Sequence, residues 1–320
     1  MVDLSPASLA KLNIPAPPAM AKAAEDAMLA KATTPLARVF WLALTGGAYI
    51  AIGFISMVTS QQGLAGVPTG FAKVLGGATF SLGLIFVLLS GSDLFTGTTM
   101  TLMPVLSKRL ALPRMLVHWG VSIAGNLVGS VFMALLILWS GTAWSNKGAW
   151  GLVVLNTTTA KLHHTWVEAF FLGVLCNLLV CLAVWLTFSA RSTIDKALAT
   201  ALPVIIFVAA GFEHSVANMF MLPMGWLIKS FAPESFWQSE ALAKAGKTAA
   251  DFDGITIPAI VWDNLIPVIL GNIVGGALLI GAYFWVAYRR PVLAAERAAA
   301  AEAATATGTG SGESAAHTAR

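Results

Sequence analysis

The chain has 320 residues, 57% of them apolar and only 11% charged, with a formal net charge of +4. Soluble domains carry roughly a quarter of charged residues, so a water-soluble globule, which could not cover its own surface with this composition, is excluded. Uncharged apolar stretches at residues 39–58, 169–188 and 264–288 each reach the about 20 residues that a helix needs to cross a bilayer, and they describe an all-α membrane protein.

Residues 1–35 mix Asp3, Lys11, Lys22, Glu25, Asp26 and Lys31 with Pro and Ala and hold no apolar run of signal-peptide type, so this arm is expected to stay in the mature chain. Within it a short amphipathic helix near residues 19–31, with Met20, Ala24, Ala27 and Met28 on one side, is expected to lie along the cytoplasmic surface. Six spans follow at about 36–60, 70–107, 114–140, 164–189, 197–229 and 257–288. They form a channel domain over 36–292, and the Ala, Thr, Gly and Ser-rich tail over 293–320 reads as disordered. All but six of the Lys and Arg residues (Lys73, Lys147, Lys161, Lys229, Lys244 and Lys247) lie in the N-terminal segment, the 107–114 and 189–196 turns and the tail. The positive-inside rule then puts both termini in the cytoplasm and makes the span count even, as in a multi-pass protein of a bacterial inner membrane. Cys176 and Cys181 share one span and read as small packing residues.

Spans two and five are too long for one straight helix. Each is interrupted by a polar cluster, Gly91-Ser92-Asp93-Leu94-Phe95-Thr96-Gly97-Thr98 in the first and Gly211-Phe212-Glu213-His214-Ser215-Val216-Ala217-Asn218 in the second. The following spans carry Gly125-Asn126-Leu127-Val128-Gly129 and Gly271-Asn272-Ile273-Val274-Gly275. Matching signatures at matching places indicate two repeats, at about 36–140 and 164–288. With three spans each, an odd number, the second copy enters the membrane from the opposite side, the plan that sets a binding site between two discontinuous helices at the midplane.

Broken backbone in hydrocarbon leaves polar groups that must be buried in protein or face a wet cavity, and half-helix N-termini there favour an anion. Two kinks that merely aid packing are the plainer reading. Asp93, Glu213 and His214 are the ionisable residues placed deep in the spans, His118 a shallower one, and such residues are functional candidates by default. His214 reads as a donor to a passing carboxylate or as a neutral ring satisfied by its neighbours. Asp93 and Glu213 read better as ties of the broken ends, since a bare carboxylate repels an anion. Phe80, Leu84, Leu94, Phe95 and Phe207 lie near the breaks and could form apolar constrictions, although aromatics in spans more often face lipid or core. Lys161, with His163 and His164, could concentrate anions at a mouth; a plain solvated loop would look the same. No Walker sequence, dinucleotide fingerprint, Cys-x-x-Cys pair or His-Glu-x-x-His signature occurs.

The run from Gly211 to Phe220, Gly-Phe-Glu-His-Ser-Val-Ala-Asn-Met-Phe, is similar to the formate/nitrite transporter family, supported by Pro18-Ala19-Met20-Ala21-Lys22, Phe80-Ser81-Leu82-Gly83-Leu84, Asp93-Leu94-Phe95-Thr96, Lys161-Leu162-His163-His164 and Asp263-Asn264-Leu265-Ile266-Pro267-Val268. The resemblance spans roughly residues 15–290. It implies an aquaporin-like protomer of two inverted three-helix repeats with helices two and five broken, assembled as a homopentamer with one pore in each subunit. It makes His214 the central pore histidine, with Glu213 beside it and Thr96 opposite it in the mobile loop that also holds Leu94 and Phe95. Phe80 and Phe207, with Leu84 as partner, become the constriction, Lys161 the basic residue of the outer funnel, and Asn177 and Asn272 polar residues of the pore.

The expected function is a channel or transporter for formate and similar small monovalent anions, with pH gating or proton coupling. Nitrite, acetate and lactate are further candidate substrates, and a nitrite or hydrosulfide channel is the nearest alternative. A glycerol-type pore lacks its Asn-Pro-Ala signature here, and a membrane-embedded enzyme or receptor is the reading from another class. The partners expected are the anion, membrane lipid and further copies of the chain. No cofactor, metal ion, nucleic acid or enzymatic activity is expected.

Overall fold

The structure, a computed structural model, describes residues 13–64 and 66–310, with side chains through Ala303. Among the described residues six helices are long and apolar enough to cross a membrane. After a preceding helix α1 (Pro17–Thr33), they are α2 (Leu36–Ser60), α3 (Thr69–Ser90), α5 (Leu112–Trp139), α7 (Trp166–Thr187), α8 (Thr193–Ala210) and α10, which starts at Ala259. Between them stand the half-helix α4 (residues 95–106), the short α6 (Ala149–Leu162) and the half-helix α9 (Ser215–Phe231).

Local sequence sets the boundaries. Thr165 and Glu168 form a reciprocal capping box that starts α7, and Ser192 with Asp195 does the same for α8. α3 ends at Gly91 and α8 at Gly211, each with a left-handed backbone (φ 76° and 77°) that side chains rarely adopt. α10 carries three stretches of wider π-type turns, at Ala259–Leu265, Val274–Ala282 and Trp285–Arg289. It then runs on as helix from Arg290 to Gly310, where a disordered tail is the reading of the sequence; residues 311–320 lie outside the described residues. The Ala-rich composition of 298–304 explains the difference, because Ala has the highest helix propensity.

The repeat is longer than three spans. Each half opens with a short helix, α1 or α6, whose terminal lysine, Lys31 or Lys161, approaches the carboxylate of its own half's break at 3.9 or 2.7 Å. α6 therefore plays in the second half the part of α1 in the first. The halves interlock: α4 packs on α7 and α10 of the second repeat, while α9 packs on α2 and α5 of the first. Close approach of α5 to α2 and of α10 to α7 needs glycine, since a Cβ on Gly129 would strike the Leu44 carbonyl and one on Gly275 the Val174 carbonyl.

Helix α1 is docked rather than free. Met20, Ala21, Ala24 and Met28 pack with Met100, Met103, Val184, Trp185 and Ile280. Glu25, wholly buried, pairs with Arg289 at 2.5 Å and Arg109 at 2.7 Å.

Candidate functional site

The two breaks are built alike, group for group. In the first, the Asp93 N–H donates to the Leu42 carbonyl at 3.0 Å. The Phe95 N–H donates to Asn126 Oδ1 at 2.9 Å, and Asn126 Nδ2 donates to the carbonyls of Ala43 and Asp93 at 2.6 and 3.0 Å. In the second, the Glu213 N–H donates to the Leu172 carbonyl at 3.2 Å. The Ser215 N–H donates to Asn272 Oδ1 at 2.9 Å, and Asn272 Nδ2 donates to the carbonyls of Gly173 and Glu213 at 2.8 and 3.0 Å. One asparagine thus satisfies two backbone groups that each helix break would leave unpaired in hydrocarbon, each of which costs several kcal/mol unmet, and ties the break to a carbonyl of the neighbouring span, Ala43 of α2 or Gly173 of α7. The conserved spacing inside the chain, Gly-Asn-x-Val-Gly in both halves, is what delivers the amide to that position.

Both carboxylates are buried and tied. Asp93 accepts from Ser122 Oγ at 2.5 Å and faces Lys31. Glu213 accepts from Lys161 at 2.7 Å, Asn218 at 2.6 Å and Asn264 at 3.2 Å. Both oxygens of Glu213 are hydrogen-bonded and its charge is paired with Lys161, the form in which a membrane interior tolerates charge.

The half-helices α4 and α9 meet at their N-terminal ends. Thr96 Oγ1 and His214 Nε2 are 2.9 Å apart, although 118 residues separate them in sequence. His214 Nδ1 accepts the Ala217 N–H at 3.0 Å and so caps α9. Both half-helix dipoles then point their positive ends at this junction, an arrangement that favours negative charge.

Above the junction opens a cavity of about 410 Å³ lined by His214, Phe80, Phe207, Lys161, Glu213 and Lys73, among others. Its floor is aromatic: the Phe80 and Phe207 rings meet edge to face at 5.8 Å, and the Phe207 ring lies stacked at 5.9 Å from the His214 ring. Five of the residues singled out in the sequence, His214, Glu213, Lys161, Phe80 and Phe207, therefore share one cavity.

The remaining six lie elsewhere around the junction. Thr96 meets His214 from beneath, and Leu84, Leu94 and Phe95 are buried near the first break without lining the cavity. Asn177 and Asn272 also stay outside it. Asn177 Nδ2 donates to the Asn272 carbonyl at 2.6 Å, the Thr96 carbonyl at 3.1 Å and Thr99 Oγ1 at 3.2 Å, so this amide fastens α4 to α10. Residues that sequence reasoning passed over are Lys73, Gln61, Asn156 and Thr157 in the cavity wall, and Asn126 at the first break. Asn126 was within reach, since it occupies the same place in its repeat as Asn272.

The family model for formate/nitrite transporters matches residues 18–286. The chain is 46% identical over 274 residues to the formate channel FocA of Escherichia coli (strain K12), covering 86% of this chain and 94% of that one. It is 44% identical over 244 residues to the formate channel FocA of Haemophilus influenzae, covering 76% and 84%. Among solved structures, a pentameric formate channel with formate bound superposes with a TM-score of 0.74 at 42% identity, over 79% of this chain and 97% of that one.

Proposed function

The chain belongs to the formate/nitrite transporter family, a family of channels and transporters rather than enzymes, and on that premise we propose that formate is its substrate, carried through a central histidine and threonine junction with the help of a proton. The observation that carries this reading is the Thr96–His214 contact at the meeting of two half-helix N-termini, directly below a basic, aromatic-floored funnel.

An ion entering hydrocarbon faces a Born cost of tens of kcal/mol. The pathway must therefore replace hydration or remove the charge. Lysines draw the anion into the funnel, the Phe80 and Phe207 rings exclude water, and the Nε2–H of His214 and the hydroxyl of Thr96 donate to the carboxylate. Leu84, Leu94 and Phe95 provide the apolar narrowing on the far side of the junction. Lys161 is already neutralised by Glu213, so the uncompensated attraction falls to exposed Lys73, which has no carboxylate within salt-bridge distance among the described residues. Charge distribution favours both termini in the cytoplasm, which turns the funnel outward. The pentamer of the solved relative is the assembly proposed for this chain.

Radiolabelled formate flux into proteoliposomes across a pH series, with nitrite, lactate and acetate as competitors, tests substrate and proton coupling together. Saturable formate flux that rises on the acidic side and is best competed by unlabelled formate is the expected result. Flux that nitrite blocks far better than formate assigns the pore to another anion, and flux indifferent to a proton gradient removes the coupling.

A further inference from the structure

The two clusters that tie the breaks match in backbone contacts, in asparagine and in lysine, and differ in the histidine beside the carboxylate: wholly buried His118 at 3.3 Å from Asp93 in the first, partly exposed His164 at 4.0 Å from Glu213 in the second. Eight residues before Asn272 stands Asn264, whose amide donates to Glu213 Oε2 at 3.2 Å. Eight residues before Asn126 stands His118, whose Nε2 lies 3.3 Å from Asp93 Oδ2. His118 is wholly buried, and neither of its ring nitrogens makes an aligned hydrogen bond. An unpartnered polar ring sealed from water is costly unless something in its working cycle satisfies it.

We propose that His118 is a proton-binding positioning residue of the first break: it grips Asp93, and through Asp93 the turn that carries Leu94, Phe95 and Thr96 opposite His214, and the grip strengthens when the ring is protonated. With His118 neutral, Asp93 and Lys31 balance each other as Glu213 and Lys161 do in the other half. A proton on the ring makes it a counter-ion 3.3 Å from the carboxylate and leaves one net positive charge beside the N-terminal end of α4. That charge adds to the half-helix dipole on the anion's side. Asn264 gives the second break the same contact with no response to pH.

The charged groups around the ring are few. Asp93 comes from the break and Lys31 from α1, where its ammonium also donates to the Ser92 carbonyl at 3.2 Å. On α5 itself Arg114 is engaged by the carbonyls of Ala32 and Thr34 at 2.8 and 2.6 Å. Toward this break α2 presents the Leu42 carbonyl and the Thr45 hydroxyl, and α4 the Thr98 carbonyl and the Thr101 hydroxyl, both accepting from Trp119 Nε1, none of them charged.

The test compares formate flux in proteoliposomes at pH about 5.5 and about 7.5 for the wild type and His118→Asn, which copies the second break into the first; formic acid protonation is common to both and cancels in the ratio of ratios. The acid-to-neutral flux ratio should fall about threefold or more in the variant, while flux at the higher pH changes little. An unchanged or larger ratio, or an equal loss at every pH, makes His118 a packing residue and overturns the proposal. If the variant does not assemble, the ¹⁵N-histidine spectrum of the wild type in nanodiscs decides, with the ring assigned through its contact to Asp93. Titration between pH about 5 and 8 supports the proposal, and a ring that stays neutral throughout refutes it.

Discussion

His214 and Thr96 face each other at 2.9 Å, and the opposite ring nitrogen of His214 is committed to the Ala217 N–H at 3.0 Å. Because a backbone amide can only donate, Nδ1 is an acceptor, and the neutral ring carries its proton on Nε2, aimed at Thr96. A second proton must then land on Nδ1 and displace the cap of α9. Charging the histidine and loosening the first turn of α9 are one event.

Thr96→Val keeps the shape of the side chain and removes the hydroxyl. It leaves the His214 Nε2–H unpaired, a loss of about 1–3 kcal/mol for a buried donor, and takes one donor from the passing anion. Formate flux in proteoliposomes should fall about tenfold or more, since 1.4 kcal/mol is a factor of ten, with the oligomer unchanged on size exclusion. Thr96→Ser should retain most of the flux. A valine variant as active as wild type would dissociate this contact from transport.

Lys161 and Glu213 form a buried pair at 2.7 Å, and removing one partner of such a pair costs about 3–5 kcal/mol because the other charge is left stranded. Lys161→Met should therefore lower the thermal midpoint in detergent substantially. Adding Glu213→Gln should recover most of that loss, because the amide can still bond Asn218 and Asn264. The double-mutant cycle reads the coupling directly; additive losses would mean that the pair does not act as a unit.

Lys73 lines the same funnel but is exposed. Lys73→Gln should slow formate entry at low substrate concentration and low salt, by a few-fold, and the deficit should shrink as salt screens the field. The maximal rate at saturating formate and the thermal midpoint should stay put. A deficit that persists at high salt would give Lys73 a direct bonding role instead of a steering one.

Much of this architecture is legible in the sequence because hydrocarbon permits so few solutions. Uninterrupted apolar runs give the six spans, and Gly91 and Gly211, each followed two residues on by a carboxylate, give the breaks. The pairing of Asn126 with Asn272 follows from the repeated Gly-Asn-x-Val-Gly. Contacts between halves are less visible: no periodicity announces that Thr96 meets His214, or that Asn177 donates to the carbonyls of Thr96 and Asn272. α6 escapes too, since fourteen residues are too few to read as a span, and only its contact with Glu213 shows that it repeats α1.

Gly129 and Gly120 lie on the same helix and should respond in opposite ways to alanine. A Cβ on Gly129 runs into the Leu44 carbonyl, a backbone atom that cannot swing aside, whereas a Cβ on Gly120 meets nothing within 4 Å. Gly129→Ala should destabilise by about 1–3 kcal/mol, the usual penalty of overpacking. Gly120→Ala should be neutral or stabilising by up to about 1 kcal/mol through helix propensity. Thermal midpoints of both variants check this; equal responses would mean that the α2–α5 approach is not set by Gly129.

Outside the spans, Glu240 links the 232–258 loop to the turn before α6. It accepts from Lys147 at 2.5 Å and from Lys244 at 2.6 Å, and these two partners, Lys147 foremost, lower its carboxyl from 4.5 to about 2. A carboxylate depressed in the folded state contributes stability that is whole above its unfolded value and fades as the pH falls through its folded one. Glu240→Gln should thus lower the thermal midpoint at neutral pH by a small amount, because exposed pairs are weak and screened. The gap to wild type should begin to close below pH about 4.5 and vanish near about 2, and it should also narrow in high salt. A gap that is constant across this range would show that the loop is held by its apolar contacts, Phe236 against Trp144 at 5.1 Å among them, and owes nothing to the Glu240 charge.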